Sequence, residues 1–153
     1  MKKLIIVLFV LLVVVLIIGF MPSPEPERVP VAETSAALSQ NGAANFALYE
    51  DGSVEADLNL AEYNAEDGSV LTLYTMNYLT NHYTDFVLDG CFNGDKTPHT
   101  FHYVVAGGKA DTKESFKAED YDTTLSADNF IERIRPFETE YRAIKDAIDA
   151  LAE

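Results

Sequence analysis

The sequence predicts an α+β fold. An N-terminal transmembrane helix and a Pro-rich linker lead to an acidic head, an antiparallel five-stranded meander with a C-terminal amphipathic helix packed on the sheet. Three observations carry that expectation. Leu4 to Met21 is an apolar run in which only Gly19 lacks an apolar side chain. Between Phe46 and Gly108, apolar segments of strand length are punctuated by Asp-Gly, Asn-Gly and Gly-Gly pairs. From Phe130 to Leu151, apolar residues recur with gaps of four and three.

The leading run has 18 residues. As a helix it spans ~27 Å, close to the hydrocarbon thickness of a bilayer. A signal-peptide core is shorter and ends in a small-x-small cleavage triplet. Here the run ends in Gly19-Phe20-Met21-Pro22, and the first such triplet, Ser35-Ala36-Ala37, lies well downstream. Residues 1–21 are therefore expected to stay as an anchor, with Leu4, Leu8, Leu12, Leu16 and Phe20 among its lipid-facing side chains. Lys2 and Lys3 hold the short end in the cytoplasm, which sends the rest to the extracytoplasmic side. The alternative is a chain secreted after cleavage.

Residues 22–40 read as a linker. Pro22, Pro24, Pro26 and Pro30 are four of the six prolines, and alternating Pro and Glu favours an extended spacer. At ~3.1 Å per residue it would reach up to roughly 50 Å. Ser35 to Gln40 could form a short helical turn.

Residues 41–153 form the expected extracytoplasmic domain. Lys2 and Lys3 aside, every charged side chain lies beyond Met21, and that part of the chain carries 25 acidic residues against nine basic ones. Such a domain repels phosphate backbones, so nucleic acid is excluded as a partner class. The single cysteine, Cys91, rules out an intrachain disulfide, so the fold must rest on its core or on its partners.

The pentapeptide EDGSV occurs at 50–54 and again at 66–70. Asp-Gly between apolar runs is a strong signal for a two-residue hairpin turn, and both copies are read that way. After the first copy Val54, Ala56, Leu58 and Leu60 alternate with Glu55, Asp57 and Asn59, as in a half-buried strand. After the second, Val70 to Leu79 is apolar on both faces, as in a central strand. Tyr83 to Phe92 places Phe86, Leu88 and Phe92 on one face and Asp85, Asp89 and Cys91 on the other. Thr100 to Ala106 is a further strand, stopped by Gly107-Gly108, and a fifth runs through Phe46 and Leu48. Short connections favour antiparallel pairing in chain order.

The helical stripe is Phe130, Ile134, Phe137, Tyr141, Ile144, Ile148 and Leu151, with Ser126 as N-cap. Pro136 interrupts the pattern without shifting its phase, which predicts a kink or two nearly collinear helices with Pro136 in the first turn of the second. Glu138 and Arg142 stand in the stabilising i,i+4 order.

Candidate chemistry is sparse. Asp85, Asp89 and Cys91 share a face on the Tyr83–Phe92 strand, and with His99 or His102 they could offer metal ligands or a thiol–imidazole pair. His99 and His102 are three apart on one strand, so they point to opposite faces. No C-x-x-C, H-E-x-x-H, G-x-S-x-G, phosphate loop or G-x-G-x-x-G occurs, and no cofactor is implied. Eight tyrosines, Tyr74, Tyr78, Tyr83 and Tyr103 among them, are better accounted for by strand packing than by a sugar platform. The sequence thus points to a membrane-anchored extracytoplasmic binding or assembly domain of the cell envelope, without a reaction, its partners being the membrane and another envelope protein. A small-ligand carrier with a pocket between sheet and C-terminal helix is the alternative. A metal or thiol enzyme using Cys91 and a histidine comes third.

Overall fold

The computed structural model describes residues 25–94, 98–111, 131–132 and 134–153. These form an α+β fold: a mixed sheet with two helices on one of its faces. Strands run in the order β1 (Ala32–Ala37), β2 (Ala43–Leu48), β3 (Val54–Leu60), β4 (Phe86–Asn93), β5 (Pro98–Ala106) and the three-residue β6 (Lys109–Asp111). Helix α1 (Ala65–His82) joins β3 to β4, and α2 (Glu138–Ala150) closes the chain.

The expected all-antiparallel meander is corrected at one junction. β3 and β4 pair in parallel, in register Val54↔Phe86 through Leu60↔Phe92, while every other neighbouring pair is antiparallel. A parallel pair needs a long crossover, and α1 supplies it from the segment read as a central strand.

Why Val70 to Leu79 is helical begins at Asn64. Its side chain accepts the Asp67 amide at 2.9 Å, and its own amide group reaches the Asp67 carboxylate at 2.9 Å. This N-cap holds the first helical turn, with Glu66 and Asp67 at the positive end of the helix dipole. The buried face then carries Gly68, Leu71, Thr72, Thr75 and Leu79. Thr72 and Thr75 satisfy their hydroxyls on the Gly68 and Leu71 carbonyls one turn back, at 2.7 and 2.8 Å. Leu73, Tyr74, Met76 and Tyr78 also pack against the core from outside that face. A helix pressed between a sheet and a second helix is apolar on two sides, which blurs the 3.6-residue period and imitates a strand buried on both faces. The second Asp-Gly is accordingly no turn; Gly68 lies inside α1.

The first Asp-Gly does turn. Gly52 has φ +81°, its amide donates to the Tyr49 carbonyl at 2.9 Å, and the Tyr49 amide donates to the Ser53 carbonyl across the hairpin at 3.0 Å. β5 stops where expected and continues into β6 through Gly107 and Gly108, with φ +58° and +73°. β1 replaces the helical turn foreseen near Ser35, so the latter half of the 22–40 segment belongs to the sheet. Its residues AETSAA are too small to announce a strand by themselves. Pairing with β2 from Ala32↔Leu48 to Ala37↔Ala43 makes them one.

Near the C-terminus Pro136 sits in a single 3-10 turn, Arg135–Phe137, that leads into α2. That position costs no helical hydrogen bond. Ile144, Ile148 and Leu151 are buried beneath α2, which packs on β1, β2 and α1; burying each such side chain is worth ~2 kcal/mol. Glu138 and Arg142 meet at 2.5 Å as their spacing predicts. Ser126 and Phe130 lie outside the described residues, as do residues 1–24 with the expected anchor. Among the described residues no helix is long and apolar enough to cross a membrane.

Candidate functional site: the open face of the sheet

Both helices cover the face of the sheet that carries Phe46, Leu58, Leu88, Phe92 and Phe101. Period-two alternation therefore turns the other side chains of the same strands to the opposite face. The register sets them in transverse rows. The central row runs Ser35, Asn45, Asp57, Asp89, His102 from β1 to β5. Beside it lies Glu33, Ala47, Glu55, Val87, Val104. On the other flank come Asn59, Cys91 and Thr100. The first two rows, Val104 excepted, line a broad open concavity with Tyr49 at its corner.

Electrostatics follow from this placement. Asp57 and Asp89 stand opposite each other on the parallel pair β3–β4. Partial burial, and secondarily the Asp89 charge, pushes the Asp57 carboxyl above the usual aspartate range. Asp89 in turn bonds His102 Nδ1. At the corner Arg28 reaches Asp51 at 3.0 Å, Ser53 at 2.7 Å and Glu55 at 3.6 Å, and its guanidinium lies 4.0 Å above the Tyr49 ring centre. Tyr49 donates its hydroxyl to Glu55 at 2.6 Å, which together with partial burial holds the phenol above its ordinary pKa.

The structure brings some of the sequence candidates together and separates others. Asp89 and His102 are directly paired, and Cys91 shares their face, one diagonal step from His102. Asp85 does not join them. It precedes β4, and its carboxylate accepts the Gly107 amide at 3.0 Å and the Thr84 hydroxyl at 2.8 Å. Those bonds, the amide first, hold it below the usual range. Here it fastens the β5–β6 turn to the start of β4. His99 lies on the helix-covered face with its ring 4.9 Å from that of Phe92, opposite to His102 as a separation of three demands. His82 ends α1, stacked 4.4 Å from Tyr78. Among the described residues, no group of three or more His, Cys, Asp or Glu side chains could hold a metal ion.

Sequence reasoning missed Asp57, Asn45, Tyr49 and Arg28. Period two already turned Asp57 outward, but its neighbour was hidden. The pairing of Asp57 with Asp89 exists only if β3 and β4 are parallel, and that depended on reading α1 as a helix. Arg28 fell in what read as free linker. The face so assembled is acidic, half-polar and open, able to meet a flat cationic or mixed surface by charge and shape. No family model, curated protein or solved structure matches this chain.

Proposed function

We propose that the chain is a membrane-anchored extracytoplasmic domain of the cell envelope that binds or assembles with another envelope protein and performs no reaction. The observation that carries this reading is the sheet face that no helix among the described residues covers. Five strands and the corner residue Tyr49 present Glu33, Asn45, Glu55, Asp57, Asp89 and His102 in one concavity, while both helices occupy the other side. The 18-residue apolar run with no cleavage triplet at its end supplies the anchor. Acidic charge on the exposed face favours a partner surface rich in Lys or Arg and discourages self-association.

The carrier alternative is less well supported. Phe46, Leu58, Ile144 and Ile148 meet between the sheet and α2 in one continuous core, where the carrier would need its pocket. Tyr74 and Tyr141 pack against each other across the α1–α2 seam at 5.4 Å.

Recovery of the full-length chain from membranes after cross-linking tests the proposal. A stoichiometric partner that is lost when Glu33 and Asp57 are reversed to Lys supports it. Recovery of the chain with no stoichiometric partner, or with one indifferent to those reversals, counts against the open face as the docking surface.

A further inference from the structure

Arg28 belongs to a segment that composition marks as spacer, yet it is the most heavily engaged cation described. Its guanidinium meets both carboxylate oxygens of Asp51 at 3.1 and 3.0 Å and the Ser53 hydroxyl at 2.7 Å. It also lies 3.6 Å from Glu55 and 4.0 Å above the Tyr49 ring centre. Three residues on, the Val31 amide donates to the Leu48 carbonyl at 2.7 Å and extends the β1–β2 ladder backward. The chain from Arg28 to β1 is thereby strapped to the Asp51–Gly52 turn. A planar fork gripping a carboxylate, a hydroxyl and an aromatic face sets direction as well as proximity.

All the partners of this clasp lie at one end of the sheet. β3 leaves that end at Val54 and reaches the opposite end at Leu60. There stand Glu62, the cap Asn64 and the Ser39–Gly42 turn. Seven residues of strand separate the two ends by ~23 Å.

We propose that the Arg28 clasp fixes how the head stands on its tether, with the Asp51–Gly52 end toward the membrane and the Glu62 end away from it. This rests on the anchor reading above. Its consequence is a short spacer. With Arg28 fastened, only Pro22 to Glu27 remain between the apolar run and the head, a reach of at most ~20 Å rather than the roughly 50 Å of a free linker. The end so held carries Glu50, Asp51, Glu55 and Asp85, which anionic headgroups repel. The head therefore stands on its tether instead of lying on the bilayer, and the open face runs perpendicular to the membrane, accessible from the side.

Two measurements on the full chain test this, both in a Cys91→Ser background. For the first, spin labels are placed through Glu25→Cys and Glu50→Cys in detergent. A narrow distance distribution is expected, broadened severalfold by Arg28→Ala and partly by Arg28→Lys. An unchanged width in Arg28→Ala overturns the clasp, whatever the membrane does. For the second, the chain is reconstituted in phosphatidylcholine vesicles containing phosphatidylglycerol and an acceptor-labelled lipid, with a donor dye through either Glu50→Cys or Glu62→Cys. Transfer at least twofold stronger from position 50 is expected, and Arg28→Ala should shrink the difference. Equal transfer from both positions overturns the orientation. A chain that fails to float with the vesicles overturns the anchor itself, a result that the spin-label distances keep distinct from failure of the clasp.

Discussion

The two copies of EDGSV share five letters and nothing else. In Glu50–Val54 the glycine stands in the left-handed region at φ +81°, with open space around the position of a Cβ. In Glu66–Val70 the glycine is a helical residue whose missing Cβ would lie 2.4 Å from Phe92 Cβ and 2.7 Å from its Cγ. The first glycine is there for its backbone, the second for its absence of bulk. The aspartates diverge as well. The hydroxyl and amide of Ser53 lower Asp51, whereas burial raises Asp67 against the opposing bond from Asn64. A local motif thus acquires its conformation from neighbours outside it: Asn64 at the cap of one copy, a strand of period two after the other.

The largest expected effect separates the two glycines. Gly68→Ala gains helix propensity but drives a methyl group into Phe92 and a packed β4. Net destabilisation of ~2 kcal/mol is expected in urea unfolding. Gly52→Ala meets no atom and is expected to cost only about 1 kcal/mol, from its backbone conformation. Gly52→Asn should recover most of that, since Asn tolerates the left-handed region, whereas Gly68→Asn should be worse than Gly68→Ala. Equal costs at the two positions would dissolve the distinction.

Next comes the cap. Asn64→Ala removes the acceptor for the Asp67 amide and should cost ~1 kcal/mol, with loss of helical signal confined to the start of α1. Asn64→Asp, which keeps an acceptor at the positive end of the helix, should retain most of the stability. If Asn64→Ala left amide protection in residues 66–70 untouched, the account of why the second copy is helical would be wrong.

The part-buried bridge between the β1–β2 turn and α2 gives a comparable figure. Ser39 donates its hydroxyl to the buried Glu140 carboxylate, and the Tyr63 hydroxyl donates to the Ser39 carbonyl at 2.6 Å. Removing the donor by Ser39→Ala leaves a buried acceptor with one bond fewer, at about 1–2 kcal/mol. Chemical denaturation of the variant checks this, and an unchanged midpoint would show that water replaces the hydroxyl.

The smallest effect is the sharpest comparison. Carboxyl titration by NMR should find Asp51 below and Asp67 above the usual aspartate range. Their contributions to stability then run in opposite senses. That of Asp51 is present above the unfolded-state pKa of ~3.9 and is lost as pH falls through its lowered folded value. That of Asp67 is a penalty present above its raised folded pKa and relieved as pH falls through it. Titration in the reverse order would sink the assignment of burial as the dominant influence on Asp67.

Much of this fold was legible. The alternation of Val54 to Leu60, the two faces of Phe86 to Phe92 and the stripe Ile134, Ile144, Ile148, Leu151 all survive in the structure, because each is a local period that reports one buried side. The Asn-x-x-Asp cap at 64–67 was equally local and was outweighed by the familiar look of Asp-Gly. β1 and the site had no such signal. Ala32 to Ala37 is a strand because β2 lies beside it, and the Asp57–Asp89 pair exists because two strands remote in sequence run the same way.

The sequence by itself determined which residues turn inward on β3, β4 and α2, where the Asp51–Gly52 hairpin bends and β5 stops, and that the molecule is acidic. Each of these depends on residues within one or two turns of the chain. Only the tertiary structure decided that Val70 to Leu79 is a helix, that β3 and β4 are parallel, and that Arg28 ends the spacer. The physical reason is common to all three. A helix covered on two sides loses its period, a crossover sets strand direction through distant packing, and a guanidinium declares its role only when an acid, a hydroxyl and a ring converge on it.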